Sequence, residues 1–171
     1  EITFSSFAMG QDSNTLQVVS GTETGATVTI APSASLIADI TVYPVSVSMN
    51  QTVTLHLTVT NNGVAPSNAY NVSPTAVSRL GTANWTQLSG PVIIDPPPPP
   101  AYPWPVTITT GNSVTFEWLF VATGVGTTNF SVLAYGRDEG IGDILTTPML
   151  STTVSVEAPA SLSSSLWSKP S

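Results

Sequence analysis

The chain has 171 residues and carries ten acidic residues against three basic ones, a net charge of −7, with 8% charged and 41% hydrophobic residues. Three cations (Arg79, Arg137 and Lys169) leave almost nothing to neutralise phosphates, which excludes nucleic acid as a partner and argues against an anionic membrane surface. The absence of cysteine and the single histidine, His56, exclude disulfides, thiolate metal sites and any cluster of nitrogen or sulfur ligands.

In chain order, the length and pattern divide into an arm (residues 1–34), a sandwich (35–157) and a Ser-rich tail (158–171). The arm holds three short apolar pieces, Ile2 to Phe7, Leu16 to Val19 and Val28 to Ile30, separated by Gly/Ser/Thr stretches. Each piece could be a strand, and none has an obvious hairpin partner. The sandwich opens with LIADITVYPVSVSMN, an edge strand interrupted at Pro44, where a missing amide donor is tolerated. From Thr52 to Thr60 the alternation is strict, with Val53, Leu55, Leu57 and Val59 on one face and Thr and His56 on the other. Asn61-Asn62-Gly63 supplies a turn.

A strand is expected around Ala69–Val72, and two short ones within ANWTQLSGPVII. The run Pro96–Pro100 and the following AYPWP form a stiff crossover, with Tyr102 and Trp104 packed back on the domain. The segment from Ser113 to Glu157 alternates apolar residues with Thr, Ser and Glu and is punctuated by glycines, the pattern of late strands in an immunoglobulin-like β-sandwich. The expected fold is therefore all-β: an immunoglobulin-like sandwich with an N-terminal β-strand arm. No helical period of useful length occurs, and no run of 18 apolar residues could span a membrane. The chain begins at Glu1, so a secretory signal is expected to have been removed, and an extracellular location follows.

Catalysis has little to stand on. His56 sits mid-strand on the polar face without a G-x-S-x-G elbow, and Glu117 falls on the solvent phase between Phe116 and Trp118. The protein is expected not to be an enzyme and to hold no cofactor. Asp138, Glu139 and Asp143 could bind calcium through oxygens, but their spacing is not that of an EF-hand loop. A polar hairpin turn with Arg137 offsetting the acids is the preferred reading. Four N-glycosylation sequons begin at Asn50, Asn71, Asn84 and Asn129. Glycans there would add hydration that the few charges do not supply.

The stretch TVTLHLTVTNNGVAPSNAYNVSP, through Leu57, Val59, Asn61, Asn62, Gly63, Ala65 and Asn71, resembles the second and third strands of bacterial and archaeal adhesion-type immunoglobulin-like repeats. Gly111-Asn112 through Trp118, and Gly126 through Gly136, resemble later strands of the same modules. The whole layout, an arm with strand-like pieces, one hydroxyl-rich sandwich, no cysteine and several sequons, is similar to the subunits of archaeal surface filaments known as threads. That resemblance implies subunits linked head-to-tail by donated β-strands, serving cell adhesion or biofilm formation.

An extended arm can supply both backbone pairing and apolar side chains to a neighbour's sheet. Ile2, Phe4, Phe7, Leu16, Val18, Val28 and Ile30 are the candidate donor residues. Phe4 and Phe7 are not at even spacing and cannot share one face of a regular strand. The alternative is an arm folded back as an ordinary strand of its own domain. The expected partners are copies of the same chain, N-linked glycans, and other cells or surfaces. A runner-up from a different class is a carbohydrate- or surface-binding module with Trp85, Tyr102 and Trp104 as an aromatic platform. A surface-lattice component is a third reading.

Overall fold

The structure, a computed structural model, describes residues 2–28, 32–95, 105–147 and 149–165. It is all-β, with no helix among the described residues. The chain forms two compact units, Glu1–Pro32 and Ser33–Ser171.

The first unit is a β-hairpin. Its strands are β1 (Ile2–Ser6), β2 (Met9–Gln11), β3 (Val18–Ser20) and β4 (Thr24–Val28). β1 pairs antiparallel with β4, from Ile2 opposite Val28 to Ser6 opposite Thr24. β2 pairs with β3, from Met9 opposite Ser20 to Gln11 opposite Val18. The expectation that the arm pieces lack hairpin partners is thus corrected: the partner lies across a six-residue turn, beyond the range at which a two-residue turn signature would betray it.

The second unit is a β-sandwich. Its first sheet contains β5 (Leu36–Tyr43), β7 (Thr52–Asn61), β10 (Asn84–Asp95) and β12 (Ser113–Gly124), in the order β10-β12-β7-β5, all antiparallel. The facing layer contains β8 (Asn68–Pro74), β9 (Ser78–Gly81), β11 (Val106–Thr109), β13 (Gly126–Val132), β14 (Ala134–Asp138), β15 (Gly142–Leu145), β16 (Met149–Leu150) and β17 (Val154–Glu157). Here β11-β8-β14-β15 forms one run and β16-β13-β17 another. They are continuous in the chain, because only Leu133 separates β13 from β14. Pro44 lies between β5 and β6 (Ser46–Ser48), where the chain changes sheet: β6 pairs in parallel with β17.

The sequence dictates this arrangement through period-two burial. On β7, Val53, Leu55, Leu57 and Val59 are all buried, and the intervening Thr and His side chains face outward. On β12, Val114, Phe116, Trp118, Phe120 and Ala122 point inward. The inward row of the opposite layer runs Thr128, Phe130, Val132, Ala134 and on to Asp138 without losing phase at Leu133. Phe130 joins the layers, its ring centroid 5.1 Å from Phe120 and 5.4 Å from Trp85 in an edge-on contact. Gly136 lets the layers approach at one end, since a Cβ there would meet Leu36 of β5 in the facing sheet at 3.1 Å.

Two segments depart from expectation. ANWTQLSGPVII is not two short strands but one twelve-residue strand, β10, whose pairing with β12 shifts register four times. Bulges hold it together across Gly90-Pro91, where a sequence reading sees a break. β9, residues Ser78–Gly81, has no clear alternation and escapes sequence reading. Ile30, Tyr102, Trp104, Trp167 and the run Pro96–Pro100 lie outside the described residues.

Candidate functional site

The hairpin gathers most of the expected donor residues, and all of them are exposed. Ile2, Phe4, Phe7, Met9, Leu16, Val18, Val19 and Val28 each leave about half or more of their surface in solvent, from 48% to 70%. At its base the register sorts them by face. Ile2, Phe4, Ala26 and Val28 share one side, while Thr3, Ser5, Gly25 and Thr27 share the other. Thr3 and Thr27 hydroxyls meet across the strands at 3.5 Å. Phe7 falls between β1 and β2, so the odd spacing from Phe4 is absorbed where the ladder is interrupted. Met9 and Val18, beyond it, form their own row.

Asp12 shapes the turn. Its Oδ1 accepts backbone N–H groups of Thr15 at 2.7 Å and Asn14 at 2.9 Å, and these bonds hold its pKa below the ordinary carboxylate value. Leu16 then adopts a left-handed backbone, φ 56°, an unfavourable choice for a branched side chain. Its amide closes on the Asp12 carbonyl at 2.8 Å, and Gln11 Nε2 caps the Leu16 carbonyl at 2.8 Å.

Two buried polar side chains fix the start of the sandwich. Asn61 is fully buried. Its Oδ1 accepts from Ser35 N (3.2 Å) and Gly63 N (3.1 Å), and its Nδ2 donates to the carbonyls of Ser67 and Ile108 (both 3.0 Å). Asp138 is also buried, 4% exposed, and its carboxylate accepts from Ala34 N (2.7 Å), Gly140 N (2.7 Å) and Ile141 N (2.9 Å). The unit therefore begins at Ser33, two residues earlier than the sequence pattern suggests, because Ala34 and Ser35 are already bound into it.

The calcium candidates separate: Asp138 turns inward onto backbone amides, whereas Glu139 and Asp143 are exposed. The acid is offset by three N–H dipoles and not, as expected, by Arg137, which makes no ion pair within 4.0 Å among the described residues. Both residues missed in sequence carry a legible signal. Asn61 continues the inward phase of Val53 to Val59, and Asp138 that of Phe130 to Ala134. A polar residue on an inward phase must find partners.

The Ala34 amide is the main cause that lowers the Asp138 pKa, followed by that of Ile141; burial opposes them, and the Gly140 amide adds the smallest lowering effect. A depressed folded-state value contributes stability above the ordinary aspartate value of 3.8 and loses it as pH falls through the folded value. Asp138→Asn is therefore expected to melt several degrees below the parent at neutral pH, with the gap closing as the pH drops below 3.8. Thermal scans from pH 7 to pH 2 check this, and a gap that stays constant with pH would refute it.

On the outer face of the first sheet, His56 Nε2 lies 2.9 Å from Glu117 Oε2, the two side chains 37% and 36% exposed. They are cross-strand neighbours in register, and such surface pairs contribute roughly 0–1 kcal/mol. No group of three or more His, Cys, Asp or Glu able to hold a metal occurs among the described residues. Trp85 is buried, with Nε1 donating to Thr128 Oγ1 at 3.1 Å, so it cannot serve in an exposed aromatic platform. Burial against Phe130 claims this ring for the core. Of the sequon residues, Asn50, Asn71 and Asn84 are exposed. Asn129 is half-buried, and its Nδ2 donates to the Ser151 carbonyl (2.8 Å) and to Thr153 Oγ1 (3.2 Å).

No protein-family model matches the chain. No curated protein matches it either. Among solved structures it is similar to the cupredoxin domain of amoB from Nitrosocaldus yellowstonii, at 17% identity and TM-score 0.38, covering 80% of this chain and 95% of that one. It is also similar to AvmM, described as catalysing macrocyclization in alchivemycin A biosynthesis, at 13% identity and TM-score 0.44, covering 75% of this chain and 92% of that one. Neither likeness carries an argument about activity.

Proposed function

We propose that this chain is a structural subunit of an extracellular filament, polymerised head-to-tail by its N-terminal hairpin, and serving adhesion or biofilm formation. The observation that carries the reading is the hairpin itself: a two-stranded ladder that exposes Ile2, Phe4 and Val28 on one face of its base and Met9 and Val18 on one face of its far end. A lone hairpin is marginally stable in water, and this one displays an apolar face that a partner could cover. Burying Ile2, Phe4, Met9, Val18 and Val28, at roughly 1.5–3 kcal/mol for a fully exposed side chain and about half of that for these partly covered ones, is worth on the order of 5 kcal/mol before ordering costs are subtracted.

The strand order supports an immunoglobulin-like assignment of the sandwich. β10-β12-β7-β5 faces β11-β8-β14, and the first strand switches sheets at Pro44 to run parallel to the last. The interior of the sandwich is filled by its own side chains, which favours strand addition at a sheet edge over the filling of an open groove. Glycans at Asn50, Asn71 and Asn84 would supply hydration, whereas the Asn129 amide nitrogen is already committed to Ser151 and Thr153 in the connection between β16 and β17. The binding-module alternative has lost Trp85 from its platform.

Electron micrographs and sedimentation of the purified full chain test the reading. Filaments or heat-resistant oligomers are expected from the parent. The pair of changes Ile2→Asp and Phe4→Asp is expected to give folded monomers with an unchanged melting transition of the sandwich. A parent chain that stays monomeric at all concentrations refutes the proposal.

A further inference from the structure

We infer that the hairpin is donated as a preformed two-stranded unit, and that its acceptor is the outer edge of β5 in a second copy of this chain; the inference rests on the filament reading above. β5 is the terminal strand of its sheet and pairs with β7 in unbroken register from Leu36 opposite Asn61 to Tyr43 opposite Thr54. It carries neither proline nor bulge, and no backbone bond from another described residue reaches its outer edge, which presents a regular row of donors and acceptors. Proteins usually blunt such edges.

Among the described residues, the other edges of the sandwich are blunted. β10 shifts register four times and contains Pro91. β11 and β15 have four residues each, and β6 has three. Ile37 and Tyr43 of β5 are exposed, at 50% and 79%, on an edge whose only charge is Asp39.

Three features of the hairpin suit this edge. The first is length. At about 3.3 Å per residue, β5 offers roughly 26 Å and the Ile2–Gln11 side of the hairpin roughly 33 Å.

The second is two-sidedness. Leu36, Ile40 and Val42 of β5 face the core, while the outer face of its sheet is rich in hydroxyls: Thr41, Thr54, Thr58 and Thr115. A hairpin strand with Ile2 and Phe4 on one side and Thr3 and Ser5 on the other continues both faces at once. A one-residue slip would invert them, which fixes the register.

The third is area. Ile2, Phe4 and Val28 share the face that continues the core side, and at roughly 100 Å² each they supply about 300 Å² of apolar area toward the roughly 800 Å² per partner of a stable complex, the remainder coming from the strand backbone and the hydroxyl face. A second copy therefore brings a surface of the right chemistry.

The chain has no cysteine, so disulfides can be placed at will. Double variants would pair Thr3→Cys or Ser5→Cys with Asp39→Cys or Thr41→Cys, all at exposed positions. Each would be assembled under reducing conditions and then oxidised. At least one pairing should give a ladder of covalent multimers on a non-reducing gel, with the hairpin–β5 peptide pair found by mass spectrometry.

Two control sets replace the β5 cysteine with Thr107→Cys on the β11 edge, beside a cleft of about 380 Å³, or with Leu145→Cys. Leu145 lies on β15 opposite Tyr135, and both are exposed on the outer face of the second layer. Filaments that cross-link only in a control set, or in no set, overturn the β5 assignment and leave the filament reading standing. An absence of filaments in the parent overturns both.

Discussion

Asn61→Ala is expected to destabilise the sandwich by about 4 kcal/mol, on the basis of roughly 1–3 kcal/mol for each buried backbone group left without a partner. The side chain makes four hydrogen bonds from a fully buried position: two donated to the carbonyls of Ser67 and Ile108, two accepted from the amides of Ser35 and Gly63. Alanine satisfies none of them and leaves a polar void. Asn61→Asp keeps the two accepted bonds, loses both donated ones and buries a charge, so it should be no better. Urea titration would show the midpoint falling with an unchanged slope. Amide exchange at Ser35 and Gly63 should quicken in the alanine variant. A loss below about 1 kcal/mol would mean that water replaces the carboxamide and that the four bonds are not a structural unit.

Phe130→Ala should cost a similar amount, about 3–5 kcal/mol, for a different reason. Phe130 is fully buried and is the ring on which Trp85 from β10 and Phe120 from β12 converge. Truncation leaves a cavity between layers and removes two aromatic contacts, each worth roughly 0.5–1.5 kcal/mol. Phe130→Leu fills most of the space and should cost less than half as much. Equal losses for the two variants would show that the rings' mutual geometry, and not the volume they fill, is what the site requires. Because Trp85 Nε1 bonds Thr128, on the same strand as Phe130, the two substitutions should also shift the near-ultraviolet signal of Trp85.

How much of this was legible beforehand depends on how a residue's neighbours are reached. β7 and β12 were plain, because a half-buried strand writes its two faces into alternate positions, as Val53 to Val59 and Phe116 to Phe120 do. β10 was not, since its bulges move residues out of phase and Pro91 reads as a break. The hairpin was missed for a related reason. Its two sides are interrupted at Phe7-Ala8 and joined by a turn held together by the side chain of Asp12, which lacks a short Gly-containing signature. Trp85 is flanked by polar Asn84 and Thr86, a pattern that fits a surface aromatic. That is equally the mark of one inward residue on an edge strand. Asn61 and Asp138 were read from their turn-like surroundings, when their phase along the strand already placed them inside.

The linkage of the hairpin to the sandwich has a mechanical consequence. Although β5 belongs to the first sheet, the residues just ahead of it are tied to the second: Ala34 through Asp138 of β14, and Ser35 through Asn61 to Ile108 of β11. A pull along the chain at Ser33 therefore loads both layers together. Tension must shear two separate carboxylate and carboxamide clasps before it can peel β5 from β7 one bond at a time.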